Sequence, residues 1–104
     1  MNLAYDTQAL RRFCREHGIA RLELFGSALR QDFRADSDLD LLCTLTAEKD
    51  QGCGLLQWVG LQCGLERIFG RRVGLVSRRA IERSRNAYRR AAILANPHPL
   101  YVEG

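Results

Sequence analysis

The chain has 104 residues, 46% of them hydrophobic and 27% charged, with a formal net charge of +4. This composition excludes a low-complexity or disordered chain and suits one small folded domain, expected to span residues 1–104. No apolar run approaches the length of a membrane span, and "MNLAYDTQAL" does not read as a secretory signal, so the expectation is a cytoplasmic protein that does not bind membranes.

In chain order, "DTQALRRFCREHG" reads as a helix capped by Asp6 or Thr7, striped with Leu10, Phe13 and Cys14, and stopped by Gly18. "IARLELF" alternates Ile19, Arg21 and Glu23 against Ala20, Leu22 and Leu24, the pattern of a half-buried strand. Gly26-Ser27 turns the chain, "SALRQDF" is a short helix and "RADS" a loop. "DLDLLCTL" is apolar enough for a central strand, and "EKDQGCG" reads as a surface loop.

From Leu55 to Phe69 apolar residues recur at helical spacing, with Leu55, Val59 and Cys63 on one line and Trp58, Leu61, Leu65 and Phe69 on another. "RRVGLV" is a third strand. Ser77 caps one long helix, "RRAIERSRNAYRRAAIL", expected to turn Ile81, Tyr88, Ala92 and Leu94 inward. "PLYVE" is an edge strand or a docked tail. The order predicts an α/β (α+β) fold, a small mixed sheet flanked by helices.

Fifteen of the sixteen basic residues are arginine, and Arg78, Arg79, Arg83, Arg85, Arg89 and Arg90 make one segment strongly basic. Arginine forks suit phosphate and carboxylate, although a solvated surface or a coding bias explains many of them equally well. The four cysteines form no C-x-x-C pair or zinc spacing; Cys43 and Cys63 lie among apolar residues and read as small buried hydrophobes.

The chemistry concentrates in "LFGSALRQDFRADSDLDLL". Side chains alternate along a strand, so Asp38 and Asp40 share a face, where two carboxylates repel unless a cation intervenes. Magnesium suits the pair, because it takes a few carboxylates together with phosphate oxygens and water. An isolated D-x-D is more often a solvated strand entrance. Here a Gly-Ser pair precedes it, and glycine at a helix start lets a phosphate approach unpaired backbone N–H groups. Phosphate cradle and metal carboxylates would then lie on neighbouring strand ends, as a metal–nucleoside triphosphate requires.

Gly26, Ser27, Asp38 and Asp40 together form G-S, ten residues, D-x-D, and in this the chain resembles the nucleotidyltransferase superfamily that includes DNA polymerase beta. Length and element order resemble its minimal nucleotidyltransferase (MNT) subfamily over nearly the whole chain. The resemblance implies an antitoxin paired with a HEPN-domain ribonuclease toxin, with AMP passing from ATP to a tyrosine of that partner. It further implies Mg2+ held by Asp38 and Asp40, a hetero-oligomer with the toxin, and nucleotide contacts from Gly26 and Ser27. Arg30 and Arg34, between turn and aspartates, could steady the triphosphate; Ser77 occupies a position where the family often contacts nucleotide, although capping alone explains it.

The sequence departs from the family at one point. Active members carry a third carboxylate on the next long strand, typically within "VDLV", and this chain has "VGLV", with Gly74 at the aspartate position. The expectation is retained Mg-ATP binding with severely weakened transfer, unless Glu66 or Asp36 substitutes. Two alternatives stand beside the enzyme: a degenerate antitoxin that neutralises its partner by contact, and a nucleic-acid-binding module using Arg78–Arg90. The last ranks lowest, because the segment lacks interleaved exposed aromatics and leaves the aspartates unexplained. Core packing accounts for Trp58, and the helix dipole for His17; His98 reads as a tail residue.

Overall fold

A computed structural model of the chain describes residues 3–26 and 37–103. The elements are α1 (Thr7–Glu16), β1 (Ile19–Phe25), β2 (Leu39–Leu45), α2 (Ala47–Gly52), α3 (Leu55–Phe69), β3 (Val73–Ser77), α4 (Arg78–Glu82), α5 (Ala87–Leu94) and β4 (His98–Val102). The sheet runs β3-β2-β1-β4. β1 pairs antiparallel with β2 and with β4, and β2 pairs parallel with β3, so the sheet is mixed as the sequence predicts. "PLYVE" resolves into the edge strand, with Pro99 where a lost ladder donor is tolerated.

Local chemistry sets the helix ends. The Asp6 carboxylate accepts from the Gln8 and Ala9 amides and starts α1, which buries Leu10 and Cys14 one turn apart. Gly70, in the left-handed region, closes α3. Gly64 on α3 is a point of close approach: a Cβ there would stand 2.3 Å from the Phe13 ring of α1. The helix accepts a residue of poor propensity because its neighbour leaves no room for another.

The core lies between one face of the sheet and these helices. Leu22 and Leu24 of β1, Leu39, Leu41 and Cys43 of β2, Val73 and Leu75 of β3, and Leu61, Leu65 and Phe69 of α3 join Leu10 and Cys14 in one buried cluster. Burial pushes the Cys14 and Cys43 thiols up to about 12. Trp58 packs against the cluster, as expected.

Four expectations change. "EKDQGCG" is largely helix α2, because the Thr46 hydroxyl accepts from the Lys49 amide and starts a turn. The second line of α3 packs as predicted, but Leu55, Val59 and Cys63 face outward. The long C-terminal helix is two helices: Ser84 and Asn86 offer side-chain oxygens to the Asn86 and Arg89 amides, and these local bonds win over continuous helix between Glu82 and Ala87. Finally, Ile81 is buried and Leu94 half-buried, whereas Tyr88 is 87% exposed and Ala92 also faces solvent.

Candidate functional site

Strand alternation divides the sheet into two unlike faces. Leu39, Leu41 and Cys43 enter the core, and Asp40, Leu42 and Thr44 take the opposite face. Register then sets neighbours: Asp40 stands beside Phe25 of β1 and beside Gly74 of β3. Asp38 lies two residues before Asp40, exposed, just ahead of the strand. The strand start is anchored on the β3 side, where the Leu39 amide donates to the Arg72 carbonyl (2.9 Å) and Arg71 donates to the Ser37 carbonyl (3.4 Å).

Two glycines flank the Asp40 carboxylate. A Cβ on Gly26 would stand 2.6 Å from Oδ2, and a Cβ on Gly74 would stand 3.2 Å from Oδ1. Gly26 has φ +73°, which glycine reaches without strain, so both backbone conformation and space demand glycine after β1. Gly26 and the Asp40 carboxylate therefore meet at one end of the sheet. Ser27, Arg30, Arg34 and Asp36 fall outside the described residues.

Gly74 is the direct β3 neighbour of Asp40, on the same face. A side chain there would point beside the Asp40 carboxylate. Glu66 is elsewhere: it belongs to α3, on the core side of the sheet, and its carboxylate accepts from the Val73 amide at 3.0 Å. That bond joins helix to strand and commits the group that the sequence offers as a substitute acid. Ser77 also stands apart. It pairs with Cys43, three residues beyond the Asp40 level and so about 10 Å along the strand. By alternation it sits on the opposite face from Gly74, and its hydroxyl accepts from the Ala80 amide as the cap of α4.

One group on the site face escapes the sequence reading. Glu23, placed by alternation on the polar side of β1, is 1% exposed. Its carboxylate accepts from Arg78 at the start of α4 (2.5 Å) and pairs with Arg21 (3.3 Å). Arg78 also bonds Glu82. Burial lowers the Arg78 pKa, but the bonds and charges of Glu23 and Glu82 more than offset it and hold the guanidinium above its ordinary value. Strand β2 lies between Glu23 and Arg78, so the pair straps α4 across the same face that carries Asp40. No local pattern announces this contact, whose partners lie 55 residues apart.

A cavity of about 570 Å³ lies at the other end of the sheet, lined by residues that include Leu45, Lys49, Cys53 and Leu61. Leu45 pairs with Ile19, at the opposite end of the β1–β2 ladder from Asp40, so the cavity is separate from the carboxylates.

Comparison with known proteins fits this geometry. The sequence profile of the nucleotidyltransferase domain matches residues 7–96. The chain belongs to the nucleotidyltransferase-domain family. Among its relatives is a Methanocaldococcus jannaschii protein provisionally named a protein adenylyltransferase, 33% identical over 66 residues, which are 64% of this chain and 67% of that one. A solved structure provisionally described as a minimal nucleotidyltransferase superposes with a TM-score of 0.65 at 34% identity, covering 89% of this nucleotidyltransferase-domain chain and 87% of the other. A toxin–antitoxin crystal structure with AMP-PNP shares the fold, with a TM-score of 0.65 at 18% identity over 93% of this chain and 73% of that one.

Proposed function

We propose that the chain binds Mg-ATP at the Asp38–Asp40 end of the sheet and acts as an MNT antitoxin, transferring AMP to a tyrosine of a cognate HEPN ribonuclease. The observation that carries this reading is the Asp40 carboxylate set between two Cβ-less positions, Gly26 and Gly74. Acid, open backbone and neighbouring strand end converge there as a nucleotide's phosphates require. The provisional name of the M. jannaschii relative and the toxin–antitoxin neighbour point the same way.

The donor set suits magnesium. Among the described residues there is no cluster of three or more His, Cys, Asp or Glu able to cage a metal. Magnesium asks for less, typically one or two carboxylates with phosphate oxygens and water completing the shell. Asp38 and Asp40 would hold it, and when bound it would neutralise charge on the triphosphate. Gly26 leaves room for the Asp40 carboxylate against the backbone. In the transfer, the tyrosine oxygen bonds the α-phosphorus, the bond to pyrophosphate breaks, and the phenolic proton is lost.

Gly74 sets the rate. Position 74 is where the family's third carboxylate would stand, and glycine neither binds a second ion nor accepts the tyrosine proton. Base catalysis is typically worth about 10²–10⁴ in rate, so transfer is expected to be slow. This favours one second reading, an antitoxin that neutralises its partner by contact alone. Mass spectrometry of the co-expressed partner separates the two: a tyrosine carrying AMP supports transfer, and an unmodified but inhibited partner supports contact. Gly74→Asp adds the missing acid against a Cβ contact of 3.2 Å that needs a shift of only a few tenths of an ångström. It is expected to raise AMP transfer on the order of 10²-fold or more; an unchanged rate would show that position 74 is not the family's third-carboxylate position.

A further inference from the structure

The six arginines of the C-terminal basic segment divide into two sets. Arg78 is held by Glu23 and Glu82, Arg79 by the Leu45 carbonyl and Asp50, and Arg90 by the Ser84 carbonyl. These three build the fold. Arg83, Arg85 and Arg89 are exposed, and among the described residues no ion pair or hydrogen bond from their side chains accompanies them. No acidic residue occurs between Glu82 and Glu103, so nothing nearby in the chain neutralises them.

Tyr88 stands among these free cations. It is 87% exposed on α5, next to Arg89 and three residues after Arg85, which lies in the bend before the helix. The helix buries no residue: Arg90, Ile93 and Leu94 are half-buried on its inner side, and Tyr88, Arg89 and Ala92 occupy the outer side. A tyrosine packed inward would have served the core. Turned outward, its ring is an exposed flat platform in a segment that carries Arg85 and Arg89 within three residues of it.

We propose that the outer face of α5, with Arg83 and Arg85 of the preceding turn, is a binding surface for single-stranded nucleic acid. The arginines would pair with phosphates while Tyr88 stacks on a base, the combination that holds single strands without reading sequence. Single strands are favoured over duplex because the aromatic face needs an unstacked base. They are favoured over an acidic protein surface because twenty residues without a carboxylate provide charge far in excess of apolar contact, and one exposed ring beside cations is the pairing that tracks a backbone and stacks a base. The surface goes beyond the nucleotide site and does not depend on transfer activity.

Fluorescence anisotropy of short labelled oligouridine and oligothymidine tests this on the full chain. Three phosphate contacts to a single strand imply a log–log salt slope near −2, so affinity should fall about 20-fold between about 50 and about 200 mM salt. Charge reversal at Arg83, Arg85 and Arg89 together should abolish binding at the lower salt. Tyr88→Ala should weaken it by roughly 5- to 150-fold, and Tyr88→Phe, which keeps the ring, should bind like the parent. All four side chains are exposed, so an unchanged thermal midpoint is expected and separates lost binding from lost folding. Failure of both oligonucleotides to bind at the lower salt would overturn the proposal, as would equal affinity in the charge-reversed chain. Polyglutamate binding as tightly as oligouridine, with Tyr88→Ala inert toward both, would overturn it in favour of an acidic protein surface.

Discussion

The two faces of β2 are made by one run of residues and do opposite jobs. Toward the helices, Leu39 and Leu41 are 0% exposed and meet only apolar neighbours. Toward the other side, Asp40 sits between two glycines, Leu42 is buried, and Thr44 lies near the Arg21 and Glu23 pair. Leu41 and Asp40 are adjacent in sequence yet separated by the thickness of the sheet. The core face explains why the strand exists; the other explains why it begins with charge.

The sharpest test of that division is the adjacent pair itself. Asp40→Ala should remove cation-dependent nucleotide heat in calorimetry and reduce any AMP transfer on the order of 10³-fold, the loss of a few kcal/mol of charge stabilisation. It should cost less urea stability than a core truncation, since Asp40 is half-buried and outside the apolar cluster. Leu41→Ala should do the reverse, costing about 2–5 kcal/mol of stability through a buried cavity, with nucleotide binding preserved wherever the chain stays folded. Equal stability losses from both would dissolve the distinction between the faces.

Next in size is the strap over the site face. Arg78→Ala leaves the buried Glu23 carboxylate with Arg21 alone, and removing one partner of a buried pair costs about 3–5 kcal/mol. The remaining Arg21 contact puts the expectation near 3 kcal/mol by denaturant unfolding. Arg21→Ala, on the more exposed side of the pair, should cost about 1 kcal/mol or less. Similar losses for the two arginines would mean that the Glu23 charge is not effectively desolvated.

The core face carries its own pH signature. Cys14 and Cys43 have thiols raised to about 12 by burial, against an ordinary 9. The folded chain therefore holds both protonated while the unfolded chain ionises above pH 9. Below 9 their contribution is fully present, and it is lost as pH rises from 9 toward 12, by up to about 1.4 kcal/mol per pH unit for each thiol. Urea unfolding of the parent and of a Cys14→Ala/Cys43→Ala chain should diverge in slope above pH 9. Parallel curves would show the thiols to be less buried than the packing indicates.

What the sequence discloses follows from how local each signal is. Period-two alternation placed β1, a continuous apolar run placed β2, and the Gly26, Asp38 and Asp40 spacing pointed to neighbouring strand ends. Gly74 stood out only through the family resemblance, whose members carry an aspartate at that position of the strand. Glu23 was illegible, since its burial depends on Arg78, and no neighbour within a few residues reports that. The break between α4 and α5 was written in Ser84 and Asn86, both good capping residues, but the apolar spacing of Ile81, Tyr88 and Ala92 suggested one continuous stripe. Tyr88 was misplaced for that reason: once the helix breaks, its face rotates and the ring goes to solvent.

The smallest effect belongs to Thr44, on the site face below Leu42. Its hydroxyl is buried and, among the described residues, has no hydrogen-bond partner. An unsatisfied buried hydroxyl forfeits its hydration without return, so an apolar group of the same shape is favoured. Thr44→Val keeps the β-branched form that the strand accepts and should stabilise the chain by about 1 kcal/mol, read as a higher urea midpoint at constant slope. The sign carries the information. If valine lowers the midpoint instead, the hydroxyl is satisfied in solution, and the site face is wetter at this depth than the burial of Glu23 and Leu42 on either side implies.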